Sequence, residues 1–308
     1  MRPAPRNARE MENNVPFWTA SPYLSRQRAG LSSGRICLWR KVSVVATFDA
    51  LSNSGKPQRA GRVTLVGAGP GDPELLTRKG YKALQKADVV FFDDLVSPEI
   101  IDILPETTRC IYVGKPHGAP HISQEAIATQ LIAAVRSGDN VVRLKGGDPM
   151  VFGRSGEEIE ALRAAGIEVD VVPGVTAANG AAASTRISLT HRDYAAQVSF
   201  VTAVRRDREL NDVRGLAGAG KTLVVYMGIN RAAALTDALR ADGVSTDLLV
   251  AIVENATRAN ERVIVTTLAE LAPTLTRENV QSPALFIIGD VVRTYNPVSI
   301  TEHSAQNA

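Results

Sequence analysis

Val63-Thr-Leu-Val-Gly-Ala-Gly-Pro-Gly-Asp-Pro73 is the stretch on which the reading of the fold turns. Its first half is a short apolar run that stops at a glycine, the pattern of a buried strand. Glycines directly after such a strand let backbone N–H groups approach a ligand and adopt φ values closed to other residues. The spacing is not the dinucleotide fingerprint, because Pro70 and Gly71 interrupt it, and no Gly-Lys-Ser/Thr follows to make a Walker A loop. Taken alone, the turn reads equally well as a tight strand-to-helix connection.

Working outward, the same arrangement recurs twice. Val142-Arg-Leu-Lys-Gly-Gly-Asp-Pro149, followed by Phe152-Gly-Arg154, again places glycines, an acid and a proline beyond an apolar run. Val172-Pro-Gly-Val-Thr-Ala-Ala178 does so after the next run. In an open α/β sheet, ligands bind outside the carboxyl ends of the strands, so three such turns after three strands of one sheet converge on one edge. Between them the pattern alternates. Helices are expected near Glu74–Ala87, Ser123–Arg136 (Ser123 as N-cap, Gly138 as stop), Glu157–Ala165 and residues 175–184. Strands are expected at Asp88–Phe92, Cys110–Val113, Asn140–Leu144 and Glu168–Val172. A second block has candidate strands at Gln197–Thr202, Thr222–Met227, Leu248–Val253, Arg262–Thr266 and Ala284–Ile288, with helices at Arg231–Ala241 and Leu268–Leu275. The expected fold class is therefore α/β, with two α/β domains, 61–188 and 189–300, flanking a cleft.

Residues 1–60 differ in kind. They hold both tryptophans (Trp18 and Trp39), ten Lys/Arg and three Asp/Glu, a charge of +7. The remaining residues hold 25 Lys/Arg and 29 Asp/Glu, a charge of −4. The overall +3 thus comes from a basic leader that we read as disordered, with Val42–Phe48 as a candidate short strand. An Arg-rich, acid-poor leader is the composition of an organelle transit peptide as well as of an unstructured tail, and it lacks the order of a secretory signal. The mildly acidic remainder offers no nucleic-acid surface. No run of about eighteen apolar residues provides a membrane span. Two cysteines, Cys37 and Cys110, and four scattered histidines (His117, His121, His191, His303) form neither a disulfide framework nor a metal site, and a reducing, cytoplasmic setting is expected.

The strings GAGPGDPELLT, VGK, VVRLKGGDP-x-VFGR-x-GEE, VVPGVTAA, LTHRDYA, TLVVYMG, VAIVEN and PALFIIGDVV occur in that order. They resemble uroporphyrinogen-III C-methyltransferases, S-adenosylmethionine-dependent enzymes of the tetrapyrrole methylase family. The resemblance covers almost all of residues 61–298 and none of 1–60. It implies a fold of two α/β domains with the methyl donor in the cleft between them, distinct from Rossmann-like methyltransferases, and a homodimer. Residue by residue, it implies cofactor contacts at Pro70, Gly146, Gly147, Asp148, Val151, Thr176, Ala177, Met227 and Ala256, with no metal. Ala256 stands where the family has glycine or another small residue. In isolation, Val151 and Met227 read equally as core packing.

The implied reaction is methylation of uroporphyrinogen III at C2 and C7, giving precorrin-2. Pyrrole carbons of a porphyrinogen are electron-rich and attack a sulfonium methyl directly, so the enzyme aligns reactants, excludes water and accepts a proton. Asp93 resembles the family's proton acceptor and Lys115 its proton donor. Asp94 stands where the family often has a basic residue. Because adjacent strand residues face opposite ways, we expect it in solvent. A substrate rich in carboxylates calls for basic groups, and Arg143, Lys145, Arg154, His191 and Arg192 are the candidates. Each reads also as a structural ion-pair member.

Two departures stand out. Ala183-Ser-Thr-Arg-Ile-Ser188 replaces the family's Ala-Tyr-Ala-Gly-Ile-Pro, and Thr202-Ala-Val-Arg-Arg206 replaces Thr-Gly-His-x-Lys. They leave open a methylase of a later corrin precursor. A separate alternative is a non-catalytic paralogue that keeps the S-adenosylmethionine pocket, against which the retained Asp93 and Lys115 speak. Residues 1–60 are too short to be a fused dehydrogenase or ferrochelatase module.

Overall fold

Apolar runs bounded by glycine and capped helices close into two sheets, which the computed structural model describes over residues 42–44, 62–114, 122–205 and 209–297. The first sheet is built from β1 (Val42–Val44), β2 (Arg62–Gly67), β3 (Val89–Phe92), β4 (Arg109–Tyr112), β5 (Asn140–Lys145) and β6 (Val169–Val172). Their spatial order is β1-β4-β3-β5-β2-β6, and every neighbouring pair is parallel. Parallel neighbours require crossovers, and helices supply them. These are α1 (Arg78–Leu84), α2 (Pro98–Asp102), α3 (Gln124–Arg136) and α4 (Ser155–Ala164).

Local chemistry sets several boundaries. Ser123 caps α3 by accepting the Ala126 N–H at 3.1 Å, and Gly138 stops it with φ +84°. The first expected helix is shorter than its apolar spacing suggested. Residues Pro73–Leu75 form a 3-10 turn, and α1 starts only after Thr77, whose hydroxyl accepts from the Gly80 N–H at 3.0 Å. Helix α2 was not anticipated, since five residues carry too little periodicity to register.

One further finding concerns the leader. Val42–Val44 pairs with Cys110–Tyr112 and covers the edge of β4, so this piece of residues 1–60 is a strand of the first sheet. The rest of that leader lies outside the described residues.

The second sheet holds β7 (Ala195–Thr202), β8 (Gly220–Tyr226), β9 (Leu249–Glu254), β10 (Arg262–Thr267) and β11 (Ala284–Ile288), in the order β10-β9-β11-β8-β7. Only β7 and β8 are parallel neighbours. One face packs Leu223, Val225, Ile252 and Phe286 against α6 (Ala232–Ala241) and α7 (Leu271–Arg277). The other face packs Val224, Ala251, Val253 and Ile287 against Ala178 and Ala181 of α5 (Ala177–Thr185). Helix α5 follows the last strand of the first sheet, yet its buried face serves the second. No helix of the described residues is long and apolar enough to cross a membrane.

The three glycine turns follow β5, β2 and β6, which are neighbours in the sheet, and they meet through bare backbone. A Cβ placed on Gly174 would lie 2.3 Å from the Gly147 carbonyl oxygen, and one on Gly67 would lie 2.5 Å from the Gly174 nitrogen. The atoms in the way are main-chain and cannot swing aside. We therefore expect Gly174→Ala to cost about 3 kcal/mol, the upper end of ordinary overpacking, and to lower Tm by roughly 6–12 °C. Gly156, which has no atom within 4 Å of a Cβ, is the control. Gly156→Ala should melt no lower than the parent and up to about 4 °C above it, since a Gly-to-Ala change at a compatible site stabilises by about 0.4–1 kcal/mol. Equal melting of the two variants would contradict the tight approach.

Candidate active site

Strand ends position the site. Beyond β2 and β5 the chain forms a short antiparallel bridge, with Gly147 N–H donating to the Gly69 carbonyl at 2.7 Å and Gly69 N–H to the Gly147 carbonyl at 3.1 Å. Gly147 holds φ +67°, which is why glycine is needed there. A Cβ would meet nothing closer than 3.8 Å, so conformation rather than space excludes other residues. Asp148 locks the third turn by accepting the Gly174 N–H at 2.9 Å through Oδ2, while its Oδ1 accepts from Met150 N–H at 2.8 Å.

The second sheet reaches this edge through Tyr226 at the end of β8. Its hydroxyl shares a hydrogen bond with Thr176 Oγ1 at 2.7 Å and accepts the Ala178 N–H at 3.0 Å. Thr176 occupies the N-cap position of α5 but makes no side-chain cap itself, so a phenol from the other sheet satisfies that helix end. Burial pushes the Tyr226 hydroxyl up from its ordinary pKa. The Phe152 ring lies 4.9 Å from that of Tyr226. A second tie runs from the β9–β10 connection: Thr257 Oγ1 accepts the Asp72 N–H at 3.1 Å, and Arg258 donates to the Leu95 carbonyl at 2.8 Å.

These contacts gather the nine expected cofactor residues. Gly147 abuts Thr176 and Ala177, and Thr176 is tied to Tyr226, the neighbour of Met227. The Val151 N–H donates to the Asp148 carbonyl. Pro70 packs where a Cβ on Gly180 of α5 would lie, and the Ala256 carbonyl sits 3.2 Å from the same point on Gly71. Phe152, Met227, Asn255 and Thr257 all hold positive φ, at 53°, 56°, 53° and 65°. Met227 keeps 53% of its surface exposed, which core packing would not leave. Strained non-glycine backbone concentrated along one cleft marks a place where close main-chain approach to a ligand matters more than local comfort. The glycine turns and exposed Met227 therefore mark this edge as the candidate ligand site.

Asp93 and Asp94 do point to opposite faces, as their adjacency requires. Asp94 is only half-exposed, however, and it accepts a hydrogen bond from the Tyr112 hydroxyl, on the face that packs Phe92 and Cys110. Asp93 lies on the α3/α4 face and accepts from Arg143 Nη2 at 2.7 Å and from the Leu95 N–H at 3.2 Å. Arg143 and Lys145, two apart on β5, share that face and both meet Glu158 of α4, at 3.2 and 2.9 Å.

Both were expected to face substrate carboxylates. The structure corrects this: their side chains are 4% and 6% exposed, and their charges are already answered by Glu158 and Asp93. Burial opposes the Arg143 charge, but Asp93 and Glu158 outweigh it and hold the guanidinium protonated above its usual range. Burial, with Arg143 beside it, pulls Lys145 down from the ordinary lysine range against the help of Glu158. Sequence reasoning missed Glu158 and Tyr226. Both lie inside the motif strings, but only their partners across the fold reveal what they do.

Arg154 is exposed, holds φ 55° beside Phe152 and forms a two-point contact with Glu157 at 2.9 and 2.7 Å. His191 and Arg192 are not brought to this cleft within one chain. They form a turn closed by mutual bonds between His191 and Ala195, whose strand partner is Gly220. That is six residues from Tyr226, roughly 20 Å along the strand. Lys115 lies outside the described residues. Of the two divergent segments, Thr202-Ala203 adjoins the cleft, since Ala203 N–H donates to the Tyr226 carbonyl at 2.9 Å. Arg186 ends α5 in a left-handed conformation.

A family model described as tetrapyrrole (corrin/porphyrin) methylases matches residues 62–272. A siroheme synthase from Edwardsiella ictaluri is 50% identical over 245 residues, which is 79% of this chain and 52% of that protein. One from Stutzerimonas stutzeri is 46% identical over 77% of this chain and 51% of its own length. The chain thus spans about half the length of the curated relatives it matches. Among solved structures, a uroporphyrin III C-methyl transferase from Thermus thermophilus is 42% identical, with a TM-score of 0.67, covering 76% of this chain and 100% of that one. Its complex with S-adenosyl homocysteine matches at 41% identity with the same TM-score. By sequence and by fold, the chain belongs to the tetrapyrrole methylase family.

Proposed function

We propose that this chain transfers methyl groups from S-adenosylmethionine to uroporphyrinogen III at C2 and C7, giving precorrin-2, and that it works as a cytoplasmic homodimer. The observation that carries the reading is the two-sided cleft. The Gly146-Gly147-Asp148 turn and Thr176-Ala177 stand on one side, and Met227 and Ala256 on the other, joined through Tyr226 and Thr257. The Thermus thermophilus enzyme, matched over its whole length and seen with S-adenosyl homocysteine, supports that assignment. The siroheme synthases support a place in sirohaem formation.

The methyl donor supplies an electrophilic carbon on a sulfonium. The protein's part is to bind it through backbone, hold the pyrrole carbon in line and keep water out. A C–C bond forms as the S–CH3 bond breaks, and the ring system carries a positive charge until a C–H bond gives up its proton. Asp93 is the proposed acceptor. It is the most exposed member of its ionic cluster, at 24%, and its loop touches the cofactor turn: a Cβ on Gly146 would collide with Leu95. Lys115 is the proposed donor. Arg154, exposed two residues beyond Phe152, is the proposed contact for a substrate carboxylate, and His191 and Arg192 are proposed as further contacts that the partner subunit of the homodimer brings to the cleft.

Incubation of the pure protein with uroporphyrinogen III and methyl-labelled S-adenosylmethionine, with product mass as readout, tests the proposal. We expect two labelled methyl groups per macrocycle. Labelling only of an already methylated corrin precursor would support the alternative substrate instead, and no labelling of either would leave a binding protein.

Asp93→Asn keeps the shape of the side chain and removes its basicity. Its kcat should fall by roughly a hundredfold to ten-thousandfold, the usual range for one acid–base group, with S-adenosylhomocysteine affinity nearly unchanged. Wild-type turnover in that variant would remove Asp93 from the mechanism.

A further inference from the structure

Four charged side chains, from just beyond β3 and from β5 and α4, form an unbroken run of ion pairs, Asp93–Arg143–Glu158–Lys145. Two cations face two anions, so the cluster is neutral as built. Three members are almost wholly covered, at 4%, 0% and 6%, whereas Asp93 keeps 24% of its side chain exposed. The buried part is therefore turned outward at one carboxylate only.

Arg143 has little freedom. Nε donates to Glu158, Nη2 to Asp93, and Nη1 to the Leu144 carbonyl at 2.8 Å and the Phe91 carbonyl at 3.5 Å. Glu158 is pinned in turn, because its other oxygen accepts from Lys145 Nζ at 2.9 Å. A planar fork fixed at four points presents one N–H at a set position, and a lysine could not imitate it. The second Asp93 oxygen accepts the Leu95 N–H, so both carboxylate oxygens are oriented.

We infer that Arg143 is a positioning residue for the reaction: clamped from behind by Glu158 and Lys145, it holds the Asp93 carboxylate in place and aimed outward until the ring releases its proton. The inference rests on the reading of Asp93 as proton acceptor. When the ring C–H breaks, its electron pair stays in the macrocycle and cancels the positive charge, while the proton forms an O–H bond on Asp93. The cluster then holds two cations against one buried anion. Such an imbalance is costly in a covered site, so the proton passes on to water through the exposed face of Asp93. Arg143 thereby resets the acceptor for the second methylation.

The test is a double-mutant cycle on turnover. In single-turnover and steady-state rates with uroporphyrinogen III, Arg143→Gln should lower kcat by roughly tenfold to a hundredfold, less than the loss of the acid–base group itself, while Kd for S-adenosylhomocysteine stays within about threefold. Arg143→Lys should recover part of that loss. In the Asp93→Asn background, Arg143→Gln should slow turnover by no more than about threefold, because the group through which it acts is gone. Independent, multiplying losses would overturn the inference, as would a full-rate Arg143→Gln beside a slow Asp93→Asn. A wild-type rate in Asp93→Asn would instead remove the reading of Asp93 beneath it. Should Arg143→Gln fail to fold, Arg143→Lys in the two backgrounds decides the matter: a loss that vanishes with Asp93→Asn supports the inference, and one that persists overturns it.

Discussion

The approach of three glycine backbones at the carboxyl edge of the first sheet governs the rest of the molecule. Gly67, Gly147 and Gly174 stand so close that a single added carbon on Gly67 or Gly174 would collide with main-chain atoms. That closeness lets the turns after β2, β5 and β6 meet over a common floor, tied together by the mutual Gly69–Gly147 bonds and by Asp148 accepting the Gly174 N–H. Helix α5 leaves the third turn at once and packs its small residues on the second sheet. The glycine contact therefore also fixes where the second sheet stands.

Charge is distributed by the same geometry. Strand periodicity sends Arg143, Lys145 and Asp93 to the face carrying α4, where Glu158 neutralises the two cations. It sends Asp94 to the opposite face, into the hydrogen bond with Tyr112. Ion pairs as covered as these contribute little net stability, but removing one partner is expensive, about 3–5 kcal/mol, because a buried charge is then left alone. Such a cluster is better understood as holding groups in place than as glue. Only one of its four members reaches the surface to a useful extent.

Much of this was legible in the residues. Alternation of apolar runs and capped helices gave both sheets to within a few residues, and the repeated Gly/Pro turns after neighbouring strands predicted their convergence. The resemblance supplied the proposed cofactor set, whose members come from elements of both sheets. What could not be read was pairing across distance. Nothing in the Arg-Leu-Lys string says that both cations meet one glutamate on the following helix rather than a substrate. Nothing in Thr-Leu-Val-Val-Tyr-Met-Gly says that the tyrosine caps a helix of the other domain. Val42–Val44, set in a polar and basic leader, likewise gains its meaning only from the uncovered edge of β4.

In the proposed arrangement one ligand touches turns from both sheets. Amide hydrogen exchange with and without S-adenosylhomocysteine tests it most directly, because exchange reports backbone N–H groups one segment at a time. Exchange should slow on ligand addition in the turns around residues 67–71, 146–151 and 174–178, and together with them around 227–228 and 255–258. Protection confined to the first three turns, or absent from all five, would contradict it.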